Sequence, residues 1–399
     1  MLAQVVYAGA HAPSFARAAQ DLRHLAGQVI TVKQVERLTR QVGAERVAER
    51  TAEVDAWRGR PLIDKNPLPE GVTPPELAVV EMDGGRLQIR TPPLSDAGAS
   101  GAPATARSRH WREDKVGCLL SMASGVSGED PCPQIPAVFV TPERALLLAQ
   151  GIGQCAVPDG EAPPGQPAAP AGPRPGRPEV VLRTVVASRQ DIEGFGPQLA
   201  RAAWGRGFFG AARQAFVADG AAANWTVWRR WFPHFVPVVD FLHVLSYVFA
   251  AAVAGRSFAE GWPVYRGWIE ALWSGDVEAV RAGLAARRAE VGLPVSGASE
   301  ASPAQVVQEA LTYLTNHGDK MRYAEYRRQG LPLMSSHVES AIKQINYRVK
   351  GAEKFWSEGG AEAILQLRAD YLSETEPLVA FWQRRQAAMT GQRRNRRSA

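Results

Sequence analysis

The sequence is poor in the features that mark membrane-embedded, secreted or disulfide-built chains. Among its 399 residues there is no run of 18 or more apolar side chains, so no segment reads as a membrane-spanning helix. The first residues, MLAQVVYAGAHAPSFARAAQ, lack the basic-then-apolar order of a secretory signal. Only three cysteines occur, Cys118, Cys132 and Cys155, with 13 and 22 residues between them. Neither a disulfide framework nor a paired CxxC zinc site fits that spacing, and a reduced, cytoplasmic protein is expected. Charge of one sign is also in short supply: Lys+Arg 46 against Asp+Glu 40 leaves +6. Such an excess admits a polyanionic partner without establishing one. Arg393, Arg394, Arg396 and Arg397, in the basic tail 386–399, account for most of it.

What is present is ordinary globular material, 45% hydrophobic and 22% charged. At about 100–200 residues per domain, two or three domains are expected. Two stretches, 91–107 and 157–178, are rich in Pro, Gly and Ala and too poor in large apolar side chains to pack; both read as surface insertions. Phe15, Ala18, Leu22 and Leu25 recur at helical spacing. Gly27 breaks that pattern, and Thr31 is placed to cap a second helix. Two helices about a glycine in region 1–60 suit a helix-turn-helix, with Lys33, Arg37 and Arg40 available to DNA. The same spacing suits an ordinary helical hairpin, which it favours.

From Pro75 the period becomes that of strands. Leu77–Asp83, Arg86–Arg90 and Lys115–Ser121 read as three β-runs, and Glu179–Val186 as a strand or short helix. Gln214–Asp219 and Phe235–Asp240 are strands separated by Trp225, Trp228 and Trp231, which lie on one side of a short helix. Together they predict a βαβ unit with a parallel portion. After Phe241 the pattern is almost wholly helical, with helices over 242–254, 262–273, 276–291 and 303–316. The fold class is mixed α/β.

Several acidic residues sit where chemistry could use them. Asp83 is expected to end a strand, followed by Gly84-Gly85, and Asp219 ends the apolar run Ala-Phe-Val-Ala and is followed by Gly220. A carboxylate at a strand end can hold a metal without burying an unpaired charge, although Asp-Gly is equally a hairpin-turn signal. For Asp219 the helical segment that follows weakens the turn reading. Glu339 shares a helix face with Lys343, Asn346 and Lys350, an arrangement suited to a metal beside a phosphate backbone. Ser336-x-x-Glu339 is also a capping box, which the sequence alone favours. Asp240-x-x-His243 spans a strand-to-helix junction. Metal ligation, a catalytic role or N-capping by Asp240 are open there, with the cap preferred.

The stretches VVEMDGGRLQIR, HWREDKVGCLL, AFVADGAAANW, FPHFVPVVDFLHV and YLTNHGDKMRYAEYRRQGLPLMSSHVESAIKQINYRVKGAEKFWSEGGAEAILQLRADYL lie in this order between about residues 77 and 372. In sequence and order they resemble the DDE-type transposases of bacterial insertion sequences, in the mutator-related branch and its ISKra-like group. The resemblance implies a ribonuclease H-like core (75–252 and 334–385) whose acidic triad is Asp83, Asp219 and Glu339. It also implies an all-helical insertion over 253–333 and a pre-catalytic helical region over 1–60. Two Mg²⁺ or Mn²⁺ ions would be held by the triad, with Asp240 and His243 matching the family's Asp/Cys-x-x-His signature. DNA, as terminal inverted repeats and target, is the implied partner, with a homo-oligomer on DNA, no membrane, and a bacterial cytoplasmic, nucleoid-associated location. The alternative is a catalytically inactive DNA-binding derivative. One departure is visible: relatives usually carry Gly-Ser-Gly before Val-Glu-Ser, where this chain has Met334-Ser335-Ser336-His337.

Overall fold

The computed structural model describes residues 1–90, 110–152, 177–295, 297 and 299–388. The insertion 91–107, all but the last two residues of the insertion 157–178, Cys155 and the terminal arginines therefore lie outside the described residues. Cys118 and Cys132 are free thiols. No described helix is long and apolar enough to cross a membrane.

The chain opens with α1 (Leu2–His11), α2 (Phe15–Ala26), α3 (Val32–Arg58) and the single turn α4 (Leu62–Lys65). Gly27 ends α2 at φ 63°, and Thr31 and Gln34 form a reciprocal capping box at the start of α3. Next come β1 (Leu77–Ile89), β2 (Trp111–Ala123), α5 (Ala137–Val140), α6 (Pro142–Ile152), β3 (Glu179–Ser188), α7 (Ile192–Gly205), β4 (Arg213–Ala218), α8 (Ala222–Trp231) and β5 (Val236–Val239). A helical run follows: α9 (Phe241–Val253), α10 (Phe258–Ser274), α11 (Val277–Val291), α12 (Pro303–His317) and α13 (Tyr323–Arg328). The described chain closes with α14 (Ser336–Val349), β6 (Phe355–Trp356), α15 (Glu358–Leu372) and α16 (Pro377–Ala387).

The sheet is mixed, in the order β3-β2-β1-β4-β5. β1 pairs antiparallel with β2, and β2 with β3, whereas β4 lies parallel to both β1 and β5. The expected βαβ unit with a parallel portion is β4–α8–β5. β1 is central, and its first six residues are all buried, the pattern of a strand covered on both faces. Two expected runs, Leu77–Asp83 and Arg86–Arg90, are one strand. Gly84 and Gly85 do not turn the chain but stay in the ladder opposite Lys115 and Asp114, so Asp83 sits within a strand and not at its end. The two-residue β6 pairs with the far end of β1 at Gln88 and Ile89, too short a segment to show a period.

The N-terminal helices are dovetailed with the C-terminal ones. Arg46 Nε on α3 donates to Asp370 Oδ2 on α15 at 2.9 Å, and Arg50 reaches Gln366 and Glu362 at 2.8 Å each. Val6, Ala10, Val42, Leu367, Leu378 and Phe381 form one apolar cluster between them. The helices cross at Gly43, where a Cβ would lie 2.5 Å from the Ala363 carbonyl oxygen. Because backbone cannot swing aside as a side chain can, Gly43→Ala must push α3 off α15. The expected cost is about 1–3 kcal/mol, to be read as a lowered denaturation midpoint, with an unchanged midpoint as the contrary result.

Candidate functional site

Three elements distant in sequence bring carboxylates to one side of the sheet. Asp83 stands on β1, Asp219 directly follows β4, and Glu339 lies in the first turn of α14. β1 and β4 run parallel with Met82 opposite Ala218, so the two aspartates come next in register. Asn224 on α8 fastens this junction: its Nδ2 donates to Asp219 Oδ1 at 2.8 Å and to Met82 O at 3.3 Å. Asp219 Oδ1 also accepts from the Ala221 N–H at 2.9 Å, an Asx-type turn that starts α8. Among the described residues Asp83 accepts a hydrogen bond from its neighbour alone, the Gly84 N–H at 2.6 Å.

Burial, with the Asp219 carboxylate next and Glu339 adding to it, pushes the Asp83 carboxyl up to about 6. Glu339 is raised too, by burial first and then by Asp240. Burial disfavours the His243 imidazolium, but Asp240, Asp219 and Asp83 outweigh it and hold His243 at about 9. The site thus gathers more negative charge than its own cation offsets.

Asp83, Gly84, Asn224, Asn346 and Lys350 line one open cleft. Of the face expected on α14, Asn346 and Lys350 therefore share a cleft with Asp83. Lys350 is exposed, its Nζ 5.9 Å from the Trp111 ring centroid. Lys343 is exposed and its Nζ lies 3.8 Å from Glu339 Oε2. Lys33, Arg37 and Arg40 line no part of this cleft. Lys33 and Arg37 are exposed on α3, and Arg40 is half-buried and paired with Glu36 at 2.8 Å.

Among the described residues, one trio has its ligand atoms within 4.8 Å of one another: Asp240, His243 and Glu339. Asp83, Asp219 and Glu339 do not reach that mutual spacing. Asp240 is fully buried and fully engaged. Its Oδ1 caps α9 through the Leu242 and His243 N–H groups at 2.7 and 3.2 Å, and its Oδ2 accepts the Ser335 N–H and hydroxyl at 2.5 and 2.6 Å. The preferred reading of Asp240 as a cap holds, and its oxygens are committed. His243 Nδ1 lies 3.5 Å from Asp240 Oδ1, an ion-pair distance at the outer limit of hydrogen bonding.

The Ser336-x-x-Glu339 capping box does not form. Ser335 is the residue before the helix, its side chain caps nothing, and its hydroxyl is turned to Asp240. Glu339 is thereby released from capping and faces the cluster.

No protein-family model matches the chain, and no curated protein matches it. The chemistry is therefore read from the residues alone. Carboxylate oxygens with one imidazole suit a hard divalent cation, and the burial and the repulsion by Asp219 that raise Asp83 are what such a cation would offset.

Two members of the site escape sequence reasoning. Glu81, fully buried on β1, accepts from the Val338 N–H at 2.8 Å and lies 3.0 Å from His337 Nδ1. Its signal was a lone charge in an otherwise apolar central strand, two residues before Asp83. Tyr313 on α12 stacks on Tyr247 at 4.0 Å and covers the turn after Asp219, where a Cβ at Gly220 would fall 2.2 Å from the tyrosine ring. Gly220 thus serves close packing against Tyr313.

Without metal, Asp83 opposes folding when ionised. Its folded-state pKa, about 6, lies above the ordinary 3.8, so the penalty is absent below pH 4, grows between pH 4 and 6, and is complete above. Asp83→Asn is therefore expected to melt higher than wild type at pH 7.5 and equally at pH 4, both measured in chelator. A difference independent of pH would contradict this.

Proposed function

We propose that the chain is a DNA transposase of an insertion sequence. It would cleave DNA strands at element ends and join them to target DNA in a metal-dependent reaction, with Asp83, Asp219 and Glu339 as its triad. The observation that carries this reading is that acids from β1, the end of β4 and α14 lie near enough for Asp219 and Glu339 both to raise Asp83, which lines a cleft bordered by Asn346 and Lys350. The mixed sheet supports the ribonuclease H-like core, and the helices α10 to α13, between the second and third acids, support the helical insertion.

Asp83, Asp219 and Glu339 would hold Mg²⁺ or Mn²⁺, two ions in the full reaction. Bound there, the metal would lower the pKa of the attacking water or 3′-hydroxyl and stabilise the leaving oxygen of an in-line displacement. The protein's own part is positional. Asn224 fixes the Asp219 carboxylate, and His243 supplies a positive charge beside the acids. Lys350 and Asn346 offer a cation and an amide to the DNA backbone, contacts that set register without reading sequence. Lys33 and Arg37 remain candidates for a second DNA contact.

The test is cleavage and strand transfer on DNA carrying the inverted repeats that bracket the reading frame, with Mg²⁺ and with chelator. Nicked and covalently joined products only with metal are expected. Cleavage without joined products would leave a nuclease. A second reading, a DNA-binding protein without cleavage, draws on the wider spacing of Asp83, Asp219 and Glu339; salt-dependent DNA binding with no metal-dependent product would select it.

A further inference from the structure

The helix that carries Glu339 does not cap itself. The first N–H groups of a helix have no partner within it, and in α14 the residue before the helix donates where such residues normally accept. Its start is held instead by two fully buried carboxylates from other elements. Asp240 Oδ2 accepts the Ser335 N–H and hydroxyl, and Glu81 accepts the Val338 N–H and approaches His337 Nδ1.

Each carboxylate leads back to one of the other two acids. Glu81 is on β1, two residues from Asp83 and so on the same face of that strand. The Asp240 backbone N–H donates at 2.9 Å to the carbonyl of Ala218, the residue before Asp219. The loop ahead of α14 is tied down as well, because Leu333 O accepts the Phe241 N–H at 2.9 Å. Five hydrogen bonds therefore close a circuit from Asp219 through Asp240 to α14, and from α14 through Glu81 to Asp83. The span Met334-Ser335-Ser336-His337 supplies three of the donors.

We propose that Glu81 and Asp240 are positioning residues: two buried carboxylates that hold the first turn of α14 from outside the helix and so set Glu339 against Asp83 and Asp219. The inference rests on the reading of those three acids as a metal site. An ordinary cap would fix α14 only to itself, whereas this arrangement fixes it to both strands that bear the other acids. In this role the two carboxylates act through the donors at residues 335, 337 and 338 and not as ligands themselves.

The test is Mn²⁺ binding to the full chain, by calorimetry and electron paramagnetic resonance, with amide hydrogen exchange of residues 335–339 in metal-free protein. Groups that orient metal ligands typically contribute about 10–100-fold to affinity, and a loss in that range is expected for Glu81→Ala together with faster exchange at Val338. Glu81→Gln retains an acceptor for the Val338 N–H and should stay within a few-fold of wild type. Equal losses in the alanine and glutamine variants would show that charge, not the hydrogen bond, matters, and would overturn the proposal. Should Glu81→Ala not fold, His337→Ala removes one donor at a half-exposed position; it is expected to weaken Mn²⁺ binding measurably, and unchanged affinity would overturn the proposal. Unchanged affinity in a folded Glu81→Ala protein would sink the positioning role alone, with the metal site intact. A wild type that binds no Mn²⁺ would sink the metal site and the positioning role together.

Discussion

Asp219→Asn is expected to leave the protein folded and to lower Mg²⁺-dependent strand cleavage by at least about 10³-fold. The amide keeps an oxygen where Oδ1 accepts from Ala221 and Asn224, so the turn into α8 survives. What is lost is the negative charge offered to the metal. A metal stabilises the transition-state charge of a displacement by several kcal/mol, and each 1.36 kcal/mol is tenfold in rate. Asp219→Ala removes the turn acceptor too, adding about 1 kcal/mol of instability, so the asparagine variant separates chemistry from folding. The measurement is single-turnover cleavage beside a melting curve. Wild-type cleavage rates in the asparagine variant would refute the triad.

The largest stability effect is expected at Arg46. The Arg46–Asp370 pair joins α3 to α15 with side chains 9% and 5% exposed, and among the described residues Gln366, at 2.9 Å, is the one further side-chain donor to Asp370. Arg46→Met leaves that carboxylate in the interior without its cation. Removing one partner of a buried pair costs about 3–5 kcal/mol, a large part of the roughly 5–15 kcal/mol that holds a domain together. The double variant Arg46→Met, Asp370→Leu removes both charges and should recover most of the loss. Denaturant midpoints for the three proteins decide the matter. Equal midpoints for the single and double variants would mean that packing at Arg46, and not the stranded charge, sets the cost.

How much was legible varied with how local the cause was. Asp219 was legible as an acid between a strand and a helix because an apolar strand, an Asp-Gly and then a helical pattern are adjacent in sequence, and the fold keeps them adjacent. Thr31 was legible as a cap for the same reason: its partner is Gln34. Gly84-Gly85 misled, since local glycine preference favours a turn, but twelve residue pairs join β1 to β2 and carry the strand straight through. Ser336 misled similarly. Its capping pattern is intact, but Ser335 is drawn to Asp240 across 95 residues, a competitor that no local pattern encodes. Glu81 and Tyr313 were missed because their roles depend on α14 and on the Asp219 turn, long-range neighbours both. That Asp83 and Glu339 should act together was an expectation from a resemblance only, since no spacing rule links residues so far apart.

The dovetailing of α3 with α15 bears on how the chain is made. Arg46 and Asp370 are 324 residues apart. At about 5–20 residues per second, roughly 16–65 s pass on the ribosome between the two. During that time Val42 has Val6 and Ala10 beside it but not Leu367, and Gly43 lacks the backbone of α15 that packs on it. α3 is thus locked in only after α15 has been made, and the nascent chain must be kept from associating through that face until then.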